Sequence, residues 1–211
     1  MWKTHKRTIL LTLFLTLLPI VVGLFLWNQL PEQVATHFSS NEPDGWSSRA
    51  FAVLGIPAIC AGCHILCVLA PSLDPKRDSI SPKVIGVILW IMPPISWFAS
   101  GMILSYAIGK SIPVQSATGV LIGFIFLLLG NYLPKTKQNY TIGIKVPWAL
   151  NDAANWTATH RFAGFLYTAA GLVMIAAGLL RWNAVIIIAV VVSVFAPTVY
   201  SYLYYRRHER S

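Results

Sequence analysis

Six stretches of the chain contain no Asp, Glu, Lys or Arg: residues 8–31, 50–73, 84–109, 111–134, 162–180 and 182–205. A helix rising about 1.5 Å per residue needs roughly 20 apolar residues to cross a hydrocarbon layer of about 30 Å, and every stretch is about that long. Inside lipid only a helix or a closed barrel satisfies its own backbone N–H and C=O groups. Barrel strands run about 10 residues with alternating polarity, and no such alternation is present here. Composition points the same way. Only 11% of residues are charged and the mean hydropathy is +0.64, whereas soluble domains carry about a quarter charged residues. The expected fold class is all-α: a polytopic membrane protein with six transmembrane helices.

The net charge of +9 needs placing before it is read as affinity for nucleic acid. With the N-terminus inside, the inner side receives Lys3, Lys6, Arg7, Lys76, Arg77, Lys83, Lys135, Lys137, Lys145, Arg161, Arg206, Arg207 and Arg210. The outer side receives only Arg49, Lys110 and Arg181. So strong an asymmetry satisfies the positive-inside rule, and it predicts both termini and the fourth connection on the cytoplasmic side. The cations then report topology and attraction to the lipid bilayer at about 1 kcal/mol each, and direct nucleic acid binding is not expected. The apolar run after the basic N-terminus is longer than a signal-peptide core and is followed by no small-x-small cleavage site. It reads as an uncleaved first span of a multi-pass cell-membrane protein. The three cysteines share one span and define no disulfide framework.

The first outer loop, 32–49, is polar, and Asn41-Glu-Pro-Asp-Gly45 has the residue types of a tight turn. The third and fourth spans form a hairpin through Gly109-Lys110-Ser111. Prolines fall inside spans at Pro19, Pro57, Pro93, Pro94 and Pro197, each removing a backbone donor and favouring a kink. The fifth span carries Ala163-Gly164, Ala170-Gly171 and Ala177-Gly178, a small pair every seven residues. Such a stripe lets a neighbouring backbone approach closely, and Gly119-x-x-x-Gly123 in the fourth span can do the same.

Few motifs carry chemistry. Cys60-Ala-Gly-Cys63-His64 has the spacing of a haem-attachment sequence but lies in mid-span, out of reach of the outer side, and no cofactor is expected. Cys60, Cys63 and Cys67 act there as small apolar residues. His64 is expected to be a neutral imidazole bonded to a neighbouring helix. No Asp, Glu, Lys or Arg lies within a charge-free span, which lowers the case for an ion-coupled transporter. The outer loop offers Glu32, His37, Asp44, Gly45 and Trp46; His37 with the carboxylates lacks any recognised metal-site spacing, and Trp46 suits a headgroup anchor. The inner connection, 132–161, is long and rich in special residues, which favours a functional surface. Its Ile142, Ile144, Val146 and Trp148 alternate, as in a short strand-like or interfacial stretch lying against the inner headgroups, and Asn151 is placed to cap a helix beginning near Asp152.

The residues Gly130-Asn-Tyr-Leu-Pro-Lys135, Asn139-Tyr-Thr-Ile-Gly-Ile144, Pro147-Trp148 and Trp156-Thr-Ala-Thr-His-Arg161 with Gly164 closely resemble the signature of the SdpI bacterial immunity-protein family. Leu30-Pro-Glu-Gln-Val34, His37-Phe38 and Pro43-Asp-Gly-Trp46 resemble the DUF1648 membrane segment that often precedes it. Lys145 stands where the family pattern has Arg, so the charge survives without the bidentate fork. The division expected is 1–70, DUF1648-like, and 71–211, SdpI-like. The resemblance implies a non-enzymatic membrane immunity protein that protects against a secreted peptide toxin. In the family's founding member it also implies a receptor that holds a cytoplasmic winged-helix autorepressor at the membrane.

On this reading the inner connection is the main functional surface, through Asn131, Tyr132, Pro134, Lys135, Gly143, Lys145, Pro147, Trp148, His160 and Arg161. The alternatives are a small transporter or exporter built on the kinked spans and His64, or a membrane enzyme with His37 or His160 as its acid–base group.

Overall fold

A computed structural model of the chain describes residues 2–39, 41–110 and 112–208. Ser111 of the third connection and Arg210 of the inner-side count lie outside them. Six helical segments are long and apolar enough to cross a membrane: His5–Phe25, Phe51–Ser72, Pro82–Ala107, Val114–Lys135, Ala153–Leu179 and Asn183–His208. The six expected spans are therefore present, and the protein is an α-helical membrane protein. The chain divides into two compact units, Met1–Leu69 with Gly86–Gln115 and Ala70–Ile85 with Ser116–Ser211.

In the first unit, α1 (Trp2–Leu17) and α2 (Pro19–Phe25) make one span broken at Leu18. The break follows from Pro19, which has no N–H to give to the Leu15 carbonyl. The indole Nε1 of Trp97 donates to that carbonyl at 3.0 Å, and Ser96 Oγ donates to the Thr16 carbonyl at 2.7 Å. A neighbouring helix thus takes over hydrogen bonding that the proline disrupts. The donors sit on α4 (Pro82–Ala107), which runs through Pro93 and Pro94.

The 32–49 connection, expected on the outer side, is more ordered than a polar loop. Strands β1 (Gln33–Ser39) and β2 (Glu42–Ser48) pair antiparallel. The reversal lies between Ser39 and Glu42, so Pro43, Asp44 and Gly45 belong to β2 and not to the turn expected at 41–45. Pairing jumps from Ala35↔Trp46 to His37↔Gly45 and then to Phe38↔Pro43. Thr36 and Asp44 are therefore extra residues on opposite strands, two bulges that cancel in register. The hairpin is anchored by Val34, fully buried with Ala52 and Ile103, and by Phe38 set edge-on to Tyr106 at 5.1 Å. A π-helical turn, Phe51–Gly55, then leads into α3 (Ile56–Ser72).

In the second unit, α5 (Val114–Tyr132), α7 (Ala153–Leu179) and α8 (Asn183–His208) carry the spans. The two small-residue stripes pack on each other. A Cβ on Gly123 would lie 2.7 Å from the Gly171 carbonyl oxygen, one on Gly171 would lie 2.7 Å from that of Gly123, and one on Gly178 would lie 2.9 Å from that of Ser116. Nearer the inner connection, a Cβ on Gly130 would lie 2.6 Å from the Thr168 nitrogen, and Gly164 lies directly under the Pro134 ring. Backbone-to-backbone contact along the whole seam leaves no room for side chains on the facing positions. Met174, Ala170, Ala177 and Ile186 form a buried cluster.

Two outcomes follow. Gly123→Leu or Gly171→Leu is expected to destabilise the detergent-solubilised protein by at least the ~1–3 kcal/mol of core overpacking, whereas Gly101→Ala, which would meet nothing within 4 Å, is expected to leave Tm within a degree or two. The charge asymmetry predicts that a fluorescent protein fused to either terminus matures and glows inside the cell. Alkaline phosphatase at the C-terminus is expected to stay inactive, and an active enzyme there would reverse the orientation.

Candidate functional site

The 132–161 connection, expected on the inner side and called the inner loop below, is built on buried acceptors and donors that pull an irregular backbone into one shape. After α5, Leu133–Lys135 makes a single 3₁₀ turn, and 136–146 forms neither helix nor strand. The alternation of Ile142, Ile144 and Val146 does not produce the expected strand-like stretch, because Asn139 bends the chain first. Its side chain is fully buried and donates to the carbonyls of Lys137 (2.8 Å) and Ile142 (3.0 Å), while its oxygen accepts from the N–H groups of Thr141 (2.8 Å) and Ile142 (2.6 Å). An Asn closing backbone turns through its own amide competes with any ladder.

Gly143 then takes φ +116, a conformation that favours glycine, and a Cβ there would overlap His160 Nε2. His160 is buried on α7. One ring nitrogen, Nδ1, lies 2.8 Å from the Trp156 carbonyl, which can only accept, so Nδ1 carries the proton. Nε2 is then the acceptor for the Ile144 N–H at 3.0 Å. The ring stacks on Trp156 with centroids 4.0 Å apart, and the Trp156 indole donates to the Thr136 carbonyl at 2.8 Å. His160 and Trp156 together fix both ends of the irregular segment to one helix.

A second anchor comes from the short connection between α3 and α4. Asp74 is 4% exposed, yet no cation among the described residues lies on its oxygens. Its Oδ1 accepts from the Lys76 N–H at 2.7 Å; Oδ2 accepts from the Tyr140 N–H at 2.9 Å and the Thr141 hydroxyl at 2.5 Å. Burial pushes its carboxyl pKa up, but the Thr141 hydroxyl and the converging backbone N–H groups outweigh that and hold it below the usual carboxylate range. Lys76 turns instead to Gln138 Oε1 at 3.1 Å and lies over the Tyr140 ring at 5.3 Å. Gln138 in turn donates to the Ala149 and Leu150 carbonyls at 3.0 and 2.6 Å, tying the loop to the short helix α6 (Pro147–Asn151). The cap of α7 is Asp152 and not Asn151: its carboxylate accepts from the Ala154 N–H at 2.8 Å, while Asn151 ends α6.

The expected site residues thus separate into two groups. His160 is buried with the half-buried Gly143 against it, whereas Pro134 is exposed, its ring packed on Gly164. Trp148 packs against Tyr202 (5.4 Å) and Tyr205 (6.3 Å) of α8, with its indole nitrogen buried and unpartnered. Asn131, Lys135, Lys145, Pro147 and Arg161 are exposed. Lys135 rests over the Tyr132 ring at 4.7 Å with its ammonium 3.3 Å from Asn131 Oδ1, and Lys145 reaches the Thr141 carbonyl at 3.1 Å. Sequence reasoning passed over Asp74, Gln138 and Thr141. An Asp two residues before a free N–H is a local turn signal that was available at Asp74; its pairing with residues 66 and 67 positions later carried no local signal.

In the other unit, the exposed outer hairpin holds Asp44 against His37 Nδ1 at 2.5 Å and against the Ser39 hydroxyl. The hydrogen bonds from Ser39 and His37 lower the Asp44 pKa. Gly45 faces His37, where a Cβ would lie 2.8 Å from the His37 Cβ. Glu32 is exposed and Trp46 is 55% exposed. Within the spans His64 is fully buried on α3, its Nε2 2.7 Å from Thr12 Oγ1 of α1, and its Nδ1 has no partner. That is the helix-to-helix bond expected of it. Cys60 is buried and Cys63 exposed, so the CxxCH residues diverge.

Comparison with known proteins agrees with the sequence resemblance. Residues 135–201 match the SdpI/YfhL protein family, and residues 14–61 match a domain of unknown function, DUF1648. Over 205 residues the chain is 20% identical to the immunity protein SdpI of Bacillus subtilis (strain 168), covering 94% of this chain and 96% of that protein. No solved structure matches. With the six spans, these similarities mark a multi-pass protein of the bacterial cell membrane.

Asp74→Asn tests the anchor. Its amide nitrogen would face the N–H of Tyr140 or Lys76, an expected loss of ~1–3 kcal/mol, read as faster hydrogen exchange and proteolysis confined to 136–146. A carboxyl depressed in the folded state stabilises it above the unfolded value and stops doing so as pH falls through the folded one. The wild-type loop is therefore expected to keep its protection from pH 8 to 5 and to loosen only below about pH 4.

Proposed function

We propose that this chain, with an SdpI/YfhL region behind a DUF1648 segment, is a membrane immunity protein that protects its cell from a secreted antimicrobial peptide. The observation that carries the reading is similarity along almost the whole chain to a protein named for immunity, 94% of one and 96% of the other. We propose further that the inner connection is a receptor surface for a cytoplasmic winged-helix autorepressor. What supports this is the loop's construction. Its backbone is pinned by Asp74, Asn139, Trp156 and His160, and it leaves Lys135, Lys137, Lys145 and Arg161 exposed. A pinned loop loses little conformational entropy on binding, and a set of like charges selects an acidic partner. The outer hairpin, with the His37–Asp44 pair and exposed Trp46, is the surface we assign to the incoming peptide.

A transport reading rests on one specific observation, the buried His64 with an unpartnered Nδ1 in a unit whose helices carry Pro19, Pro57, Pro93 and Pro94. A survival assay separates the two. Toxin-sensitive cells expressing the wild-type chain are expected to survive the peptide. Trp148→Ala is expected to lower survival at least tenfold with the protein still in the membrane, and His64→Ala is expected to protect like wild type. Loss confined to His64→Ala would favour transport, and failure of the wild type against every peptide toxin tried would sink the immunity reading.

A further inference from the structure

One feature of the second unit begins where the inner loop ends: an apolar groove of about 510 Å³ along α8, lined by Phe162 of α7 and by Val192, Phe195, Ala196, Val199 and Leu203. Phe162 also stacks on Tyr200, ring centroids 4.5 Å apart, which places the Phe162 end of the groove where the two helices meet. The α8 residues recur at three- and four-residue spacing and so share one face. Continued past Leu203, the same spacing reaches Arg206 and Arg207, and Arg161 directly precedes Phe162. All three arginines are exposed. Neither α7 nor α8 carries an Asp or Glu within its bounds, and among the described residues no salt bridge involves these arginines. The groove is therefore apolar along its length and cationic at one end.

We propose that this groove binds an anionic phospholipid, with one acyl chain along α8 and the phosphate on Arg161, Arg206 and Arg207. Length decides between lipid and a protein helix. From Val192 to Leu203 the helix rises about 16 Å, half of a hydrocarbon core of roughly 30 Å. An acyl chain ends at that depth. A transmembrane helix, whether from a second copy or a peptide, continues through the other leaflet and has no use for cations at one end only.

The full chain is reconstituted in nanodiscs with a trace of phospholipid bearing a diazirine in its acyl chain, the headgroup being either phosphatidylglycerol or phosphatidylcholine. After illumination, adducts are mapped by peptide mass spectrometry. The phosphatidylglycerol probe is expected to label 192–203 at least fivefold more than the phosphatidylcholine probe, since each engaged arginine contributes about fivefold. Arg161→Gln, Arg206→Gln and Arg207→Gln combined should bring the two probes to equality with Tm unchanged; if that triple variant fails to fold, Arg206→Gln alone should narrow the difference. Ala196→Trp, which fills the groove, should lower labelling by both. Equal labelling by the two headgroups in wild type, adducts spread evenly over the other spans, or α8-to-α8 cross-links between two copies in place of lipid adducts would overturn the proposal.

Discussion

A backbone carbonyl or N–H without a partner costs several kcal/mol in hydrocarbon, and much of the polar chemistry of this protein answers that cost. Pro19 shows it most directly. The proline takes a donor away from the Leu15 carbonyl, and the Trp97 indole restores one from the neighbouring α4. Thr12 and Thr16 return their hydroxyls to the carbonyls of Thr8 and Thr12, each at 2.7 Å, so buried threonines leave no orphaned group. In the second unit, Asn155 donates to the Ser201 carbonyl and accepts from the hydroxyls of Ser201 and Thr159. Three buried polar side chains close on one another and join α7 to α8. The polar residues inside these helices are, for the most part, backbone repair and helix pairing.

The inner loop applies the same economy to an irregular segment. Here the backbone cannot pair with itself, so side chains satisfy it: Asn139 serves two carbonyls and two N–H groups, His160 one of each, and Asp74 two N–H groups and a hydroxyl. A buried carboxylate is costly unless donors converge on it, and the three donors at Asp74 account for its place without a cation. The lysines of the region are consequently not consumed in internal ion pairs. Their ammonium groups stay at the surface, over Tyr140 and Tyr132 or against a carbonyl or amide, where they retain most of their charge for an external partner.

How far all this could be read in the sequence depends on the range of the interaction. The spans were legible because the cost of a charge in lipid is one-body: it needs no knowledge of neighbours. The glycine stripes were legible as stripes because helical spacing puts Gly164, Gly171 and Gly178 on one face, and their partner was legible only as a second stripe with the same property. What was missed is two-body. Residues 33–48 were expected as a loop because Pro43, Asp44 and Gly45 look like a turn, but β1 burying Val34 drew them into a bulged strand. Ile142, Ile144 and Val146 alternate, yet Asn139 and the positive φ of Gly143 override the pattern. Asp74 carried no site reading in the sequence because two of its donors come from residues far along the chain.

The same distinction bears on where recognition belongs. The 33–48 hairpin is held to its unit mainly by apolar contacts of Val34 and Phe38, and its His37–Asp44 hydrogen bond is internal and exposed to solvent, where such a pair contributes little. The inner loop has the opposite organisation: the carboxylate that anchors it, Asp74, is buried and hydrogen-bonded, while its own cations lie outside and, among the described residues, in no ion pair. A surface of that kind acts at a distance through its field, over roughly 8–10 Å at physiological salt, and changes little in shape when something meets it. On the receptor reading proposed above, selectivity for an acidic partner depends on the geometry of Lys135, Lys137, Lys145 and Arg161, and that geometry depends on the backbone held by Asp74, Asn139 and His160. The residues that decide binding on this view are not the ones that touch the partner, and a substitution buried under the loop is as damaging as one on its surface.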